Sequence, residues 1–123
     1  MRILITRPRI DAEPLSARLH ALGHTTIIEP LFDIVFRDGP PLDLAGVQAL
    51  VFTSANGARA AAHRTPARDV RMLAVGPATA LTARDLGFLD VGESTGDGVE
   101  GLAAHIRATT SAGKGALLHP TGT

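Results

Sequence analysis

The sequence predicts an α/β fold built on a parallel sheet. Short apolar runs recur at intervals too long for hairpins, and each is followed by a segment of helical periodicity. The junctions between them consist of small hydroxylated or glycine residues, as in Val51-Phe52-Thr53-Ser54-Ala55-Asn56-Gly57 and Leu73-Ala74-Val75-Gly76-Pro77-Ala78-Thr79-Ala80. Such alternation implies parallel strands, right-handed crossovers and helices on both faces of the sheet.

The first element is a buried strand, Arg2-Ile3-Leu4-Ile5-Thr6, followed by a loop through Pro8. A helix begins near Asp11, the expected N-cap, with Pro14 in its first turn, Leu15, Leu19 and Leu22 on one stripe, and Gly23 as the stop. Thr25-Thr26-Ile27-Ile28 forms the second strand, ended by Pro30. Phe32, Ile34 and Phe36 then alternate with Asp33, Val35 and Arg37, the period-two pattern of a strand with unlike faces. The break Asp38-Gly39-Pro40-Pro41 follows, so a domain boundary is expected between residues 1–37 and 38–123. From Asp43 onward, strands are expected near Ala49–Thr53, Arg71–Val75, Leu89–Val91 and Ala116–His119. Helices are expected over Ala55–His63, Pro77–Leu86 and Gly98–Thr109, the last with Val99, Leu102, Ala103 and Ile106 on one face. The series is flavodoxin-like in its β-α repeats, and ligands in such sheets bind at the carboxyl ends of the strands.

Composition narrows the function. With 123 residues and 45% apolar content, the chain can build a true core. Twelve basic residues balance twelve acidic ones, which leaves no broad positive field for duplex nucleic acid or an anionic membrane. Any anion binding is therefore local. Cysteine is absent, which removes disulfides, thiolate catalysis and cysteine-based zinc sites and fits a reducing compartment. The opening Met1-Arg2-Ile3-Leu4-Ile5 is broken at Thr6-Arg7-Pro8, and no apolar stretch approaches a membrane span, so the expected location is cytoplasmic.

Candidate ligand contacts lie at the strand-helix junctions, where small residues admit a ligand to the backbone and the N–H groups of a helix start favour negative charge. Several such junctions in one chain suggest a polyanionic small molecule. Thr53, Ser54 and Asn56 form one set, with an ordinary N-cap as the alternative role of Ser54. Gly76 and Thr79 form a second, Gly76 being equally open to a tight-turn role, and Ser94 and Thr95, before Gly96, a third. Thr6 and Arg7 end the first strand, where a guanidinium pairs bidentately with a carboxylate or joins a surface ion pair.

Other signals are weaker. Gly96-Asp97-Gly98-Val99-Glu100-Gly101 matches the letters of a dinucleotide fingerprint, but it follows a late strand through a long loop and no acidic residue comes after Glu100 to hold a ribose. His20 and His24 are split by Gly23 and have no acidic ligand at metal-binding spacing, so no metal is assigned. His119 ends a strand, either facing a cleft or serving structure. Arg59, Arg64, Arg68 and Arg71 are interrupted by Asp69 and lack interleaved aromatics, which reads as a solvated face without nucleic acid.

Together, Ile3-Leu4-Ile5-Thr6-Arg7-Pro8, Glu29-Pro30-Leu31, Val51 to Gly57 and Ala74 to Ala80 resemble the uroporphyrinogen-III synthase family in order and interval. Leu86-Gly87-Phe88, Gly92 to Gly96 and Leu117-Leu118-His119-Pro120 extend the resemblance over essentially the whole chain. It implies an enzyme that takes the linear tetrapyrrole hydroxymethylbilane, removes water and closes the ring with inversion of the last pyrrole through a spirocyclic intermediate. No cofactor is implied. The substrate's eight carboxylates suit helix starts and backbone amides, and orientation of a reactive substrate outweighs any single side chain. The only side-chain proton donor suggested at the strand ends is His119.

The family fold holds this ligand between two α/β domains joined by a two-stranded linker. The first domain there comes from both ends of the chain, and the second is inserted. Against that pattern, residues 1–37 supply the first β-α-β and one linker strand, and residues 38–123 most of the inserted domain. The remainder of the first domain, with a tyrosine important to the family, falls beyond Thr123, and this chain has no tyrosine. The open sheet edge then calls for the missing C-terminal half or self-association as partner. Two other classes remain: a noncatalytic anion-binding module, and a receiver-type signalling domain. The latter needs acidic residues after the first strand and an aspartate at the third strand end, where this chain has Thr6-Arg7 and a glycine-rich segment.

Overall fold

Strands and helices alternate as β1 (Arg2–Ile5), α1 (Arg9–Ala21), β2 (Thr25–Ile28), β3 (Val47–Phe52), α2 (Ala55–Arg64), β4 (Met72–Ala74), α3 (Pro77–Asp85), β5 (Val91–Glu93) and α4 (Gly98–Thr109). A 3-10 turn at Ala112–Lys114 then leads into β6 (Ala116–Leu118). The computed structural model describes residues 1–95 and 97–122. They divide into two compact units, Met1–Val35 and the chain from Phe36 onward. Every ladder among the described residues is parallel, as the alternation of the sequence predicts.

In the first unit β1 and β2 run side by side, with Arg2 opposite Thr25 and Ile5 opposite Ile28. Helix α1 buries Ala12 and Ser16, with Leu15 and Leu19 beside them. Its start differs from expectation. Pro8 is the N-cap and Asp11 lies in the first turn, where its charge complements the helix dipole. Pro14 consequently falls inside the helix and offers no N–H to the Ile10 carbonyl one turn back. Leu22 is the C-cap and is 72% exposed, so the apolar stripe ends at Leu19. Gly23 turns the chain at φ 86°, with its N–H on His20 O (2.9 Å) and that of His24 on Leu19 O (3.0 Å), the double bond of a Schellman stop. Opposite α1, the cross-strand pair Leu4 and Ile27 stays exposed.

The strand expected over residues 32–37 does not form: the segment is neither helix nor strand, and Phe32 and Val35 are exposed. Alternation describes two faces of a chain, but a strand also needs a hydrogen-bonding neighbour. No ladder among the described residues includes this segment.

The second unit is a four-stranded sheet of order β5-β4-β3-β6. Its central strand β3 holds four successive buried residues, Ala49, Leu50, Val51 and Phe52, as expected for a strand covered on both faces. Leu50, Phe52 and Met72 pack with Ala58 and Ala61 of α2, Ala83 of α3, and Phe88. Ala49, Val51 and Leu73 pack on the other side with Leu102 and Ile106 of α4. The side switch follows from handedness. The chain steps from β3 to β4 to β5 with α2 and α3 on one face, then reverses to β6 with α4 on the other, as a fixed right-handed crossover requires. Strand β5 starts at Val91, two residues later than the sequence suggests. The expected start, Leu89, is 80% exposed, and the preceding Phe88 instead closes a second Schellman stop through Phe88 N–H to Ala83 O (3.1 Å) around Gly87 (φ 94°).

Strand β6 is seated by two local devices. The β3–β6 register slips between Val47 and Ala49, and the extra residue, Gln48, sends its side-chain amide to the carbonyls of Ser111 (2.8 Å) and Gly115 (2.6 Å). Gly115 adopts φ 126° and ψ 177°, a region essentially reserved for glycine, and a Cβ there would lie 2.5 Å from Gly46 O.

The arginine run is not a solvated face. Arg68 donates to the carbonyls of Leu86 (2.9 Å), Thr65 (2.7 Å) and Ala67 (2.9 Å), with its guanidinium 4.8 Å from the Phe88 ring centre. Arg71 donates to Thr109 O (2.9 Å) at the end of α4, and Arg64 to Pro40 O (2.7 and 2.9 Å). Helix C-termini in a parallel sheet gather at its amino edge with partial negative charge; Arg68 and Arg71 satisfy carbonyls there, while Arg64 ties the loop before β3 to the end of α2.

Two changes test these devices. Gly115→Ala is expected to lower unfolding stability by about 1–3 kcal/mol, and Arg68→Ala by about 2 kcal/mol through loss of charged donors to half-buried carbonyls. Urea denaturation of each variant measures both.

Candidate functional site

Because every strand of the second unit runs the same way, the strand ends and helix starts collect along one edge. In register, Phe52, Ala74 and Glu93 lie side by side on β3, β4 and β5. The next residues, Thr53, Val75 and Ser94, form the rim, followed by Ser54, Gly76 and Thr95. At about 4.8 Å between neighbouring strands, the four tips span about 14 Å.

At the β3 tip, Thr53 and Ser54 are exposed. Ser54 caps α2: its hydroxyl oxygen accepts from Gly57 N–H at 3.2 Å. Asn56 Oδ1 accepts from Arg59 Nη1 at 2.7 Å, so a guanidinium stands over the first turns of α2. Arg59 thus belongs to this edge, whereas Arg64, Arg68 and Arg71 serve the opposite one. Its spacing of three from Asn56 on a helix is the signal that identifies it.

Between β3 and β6 the strand order reverses, and the crevice at such a switch point is where ligands bind in open parallel sheets. Thr53 Oγ1 and His119 Nε2 meet across it at 3.3 Å. An ideal Cβ on Gly57 would lie 3.3 Å from Pro120 O, so the chain leaving β6 passes close to the start of α2.

At the β4 tip Gly76 is the N-cap of α3, with Pro77 in the first helical position. Its backbone is fully extended (φ −177°), and a Cβ added there meets nothing within 4 Å. A tight turn therefore does not demand glycine at 76, and the space beside it is open. Thr79 and Ser94 are buried, each 5% exposed, behind the exposed residues of the rim. Ser94 instead donates its hydroxyl to Val75 O at 2.9 Å and thereby fixes the backbone just before Gly76. Thr95 is exposed beside it, and Gly96 lies outside the described residues. Helix α4 starts with Asp97 and Glu100, whose charges disfavour a carboxylate there relative to the starts of α2 and α3.

Thr6 and Arg7 are exposed at the carboxyl end of β1 in the first unit, where Thr6 O accepts from Leu31 N–H at 3.1 Å. His20 Nε2 is engaged with Thr26 Oγ1 at 2.9 Å. No group of three potential metal ligands occurs among the described residues. A hollow of about 480 Å³ around Pro41, His63, Arg64 and Arg68 adjoins the end of α2, away from the strand tips, and its guanidiniums are bound to backbone carbonyls.

Residues 13–123 match the family model described as uroporphyrinogen-III synthase HemD. The chain belongs to the uroporphyrinogen-III synthase family. No curated protein matches it. This synthase family works in tetrapyrrole and haem synthesis on hydroxymethylbilane, an anion with carboxylates along its length. No helix among the described residues is long and apolar enough to cross a membrane.

The cap at Ser54 gives a direct test. Ser54→Ala is expected to cost about 1 kcal/mol of unfolding free energy and Ser54→Gly only a few tenths, as measured by urea denaturation.

Proposed function

We propose that this chain is a lyase-type synthase. It closes hydroxymethylbilane to uroporphyrinogen III with loss of water and inversion of the last pyrrole. The observation that carries the reading is the common edge on which the β3 and β4 tips stand side by side, each handing over to a helix start. Thr53, Ser54 and Asn56 bind one carboxylate at the start of α2, where Arg59 adds a positive charge. Gly76 admits a second to the backbone at the start of α3. Thr95 flanks the row, while Thr79 and Ser94 support it from within. Within the first unit, Thr6 and Arg7 at the end of β1 form a carboxylate contact of their own.

A site of this kind catalyses by geometry. The substrate is flexible and electron-rich and closes by itself into the type I ring. Holding its acidic arms at fixed points selects the folded shape in which the substituted carbon of the last pyrrole attacks. Backbone amides suit this task, since they are already ordered by the sheet and need no rearrangement when the ligand arrives.

The test is to supply the chain with enzymatically generated hydroxymethylbilane and measure the ratio of type III to type I porphyrin after oxidation. An excess of type III is expected. Type I alone overturns the synthase reading, and binding of uroporphyrin without turnover in that case identifies an anion-binding module. Gly76→Ala sharpens the assay: it is expected to change unfolding stability by no more than about 0.5 kcal/mol, yet to reduce the type III fraction by filling the space a carboxylate enters.

A further inference from the structure

The crevice between β3 and β6 contains a side chain that carboxylate binding leaves without a role. His119 follows β6 directly and is exposed, with Nε2 3.3 Å from the exposed Thr53 Oγ1. The close approach of Pro120 to Gly57 places the next residue of the chain beside the first turn of α2. The imidazole therefore stands at the switch point, on the strand adjacent to the first carboxylate contact.

The reaction proposed above breaks a carbon–oxygen bond, and hydroxide is a poor leaving group unless it departs as water. A proton must reach that oxygen. Among the described residues, the other polar side chains at and just beyond the β3 and β6 ends are the hydroxyls of Thr53, Ser54 and Thr121, the Asn56 amide and the Arg59 guanidinium. None of these releases a proton readily near neutral pH. The carboxylates at the start of α4, Asp97 and Glu100, follow β5, which is three strands away from β6. Imidazole is the side chain type that both holds and releases a proton under these conditions.

We propose that His119, oriented by Thr53, is the acid that protonates the departing hydroxyl; this rests on the synthase reading. The imidazolium N–H passes its proton to the hydroxymethyl oxygen. The carbon–oxygen bond breaks with its electron pair on oxygen, and water leaves. The pyrrole nitrogen lone pair fills the vacancy at carbon, giving a cationic exocyclic alkene. The neutral imidazole then takes back the proton released when the closed ring regains aromaticity, so the cycle balances without a further reactant.

Two variants, His119→Gln and His119→Ala, test the assignment, with thermal unfolding as the check on folding. Glutamine keeps an N–H for Thr53 but releases no proton. Both are expected to lower kcat for type III formation about 10²-fold, the low end for general acids because the pyrrole itself helps expel the hydroxyl. KM is expected to hold, and added imidazole to restore part of the rate to His119→Ala. An unchanged kcat in His119→Gln overturns the proposal, as does a loss confined to KM or one that imidazole does not relieve. A wild-type chain that forms no type III product is a different failure: it overturns the synthase reading and this step with it.

Discussion

Parallel alignment of the strands is the constraint on which the second unit depends. It directs every helix start to one edge of the sheet and every helix end to the other, so the fold has a positive rim and a negative rim before any charged side chain is added. The chain answers the two rims differently. At the amino edge Arg68 and Arg71 spend their donors on the terminal carbonyls of the helices and the loops after them. At the carboxyl edge the residues at the β3 and β4 tips are mostly small and hydroxylated, and none of the carbonyl contacts of Arg64, Arg68 and Arg71 lies there. Arg59 is the informative exception, a cation held at the already positive rim by Asn56.

Much of this was legible in the sequence. Apolar runs located β3, β4 and β6, and the spacing of Val99, Leu102, Ala103 and Ile106 located α4. Ser54 and Gly76 were readable as helix starts because capping is a local event between residues close in the chain. What failed was non-local. Residues 32–37 carry the side-chain pattern of a strand, but no partner for them follows from a pattern. Ser94 has the residue type of a rim contact, yet its fate was set by the Val75 carbonyl on the neighbouring strand. The meeting of Thr53 and His119 depends on β6 returning beside β3, a strand order that periodicity does not encode.

The site also shows how polar residues divide their work in a parallel sheet. Ser94 and Thr79 lie within the structure, where a hydroxyl must find a protein partner. Thr53, Ser54 and Thr95 lie at the surface, exposed to solvent. The difference is one residue of chain: Ser94 follows β5 directly and bonds to Val75 O, and Thr95 comes next and is exposed.

Among the described residues, strand β6 is three residues long and has a ladder partner on one side, β3. Edge elements with few buried contacts detach at the lowest free energy, well before the body of a domain opens. One wall of the crevice is thus a short strand seated by the Gln48 amide and the Gly115 turn. Opening of this strand alone would part the His119 imidazole from Thr53, while β3, β4 and β5 keep their ladders.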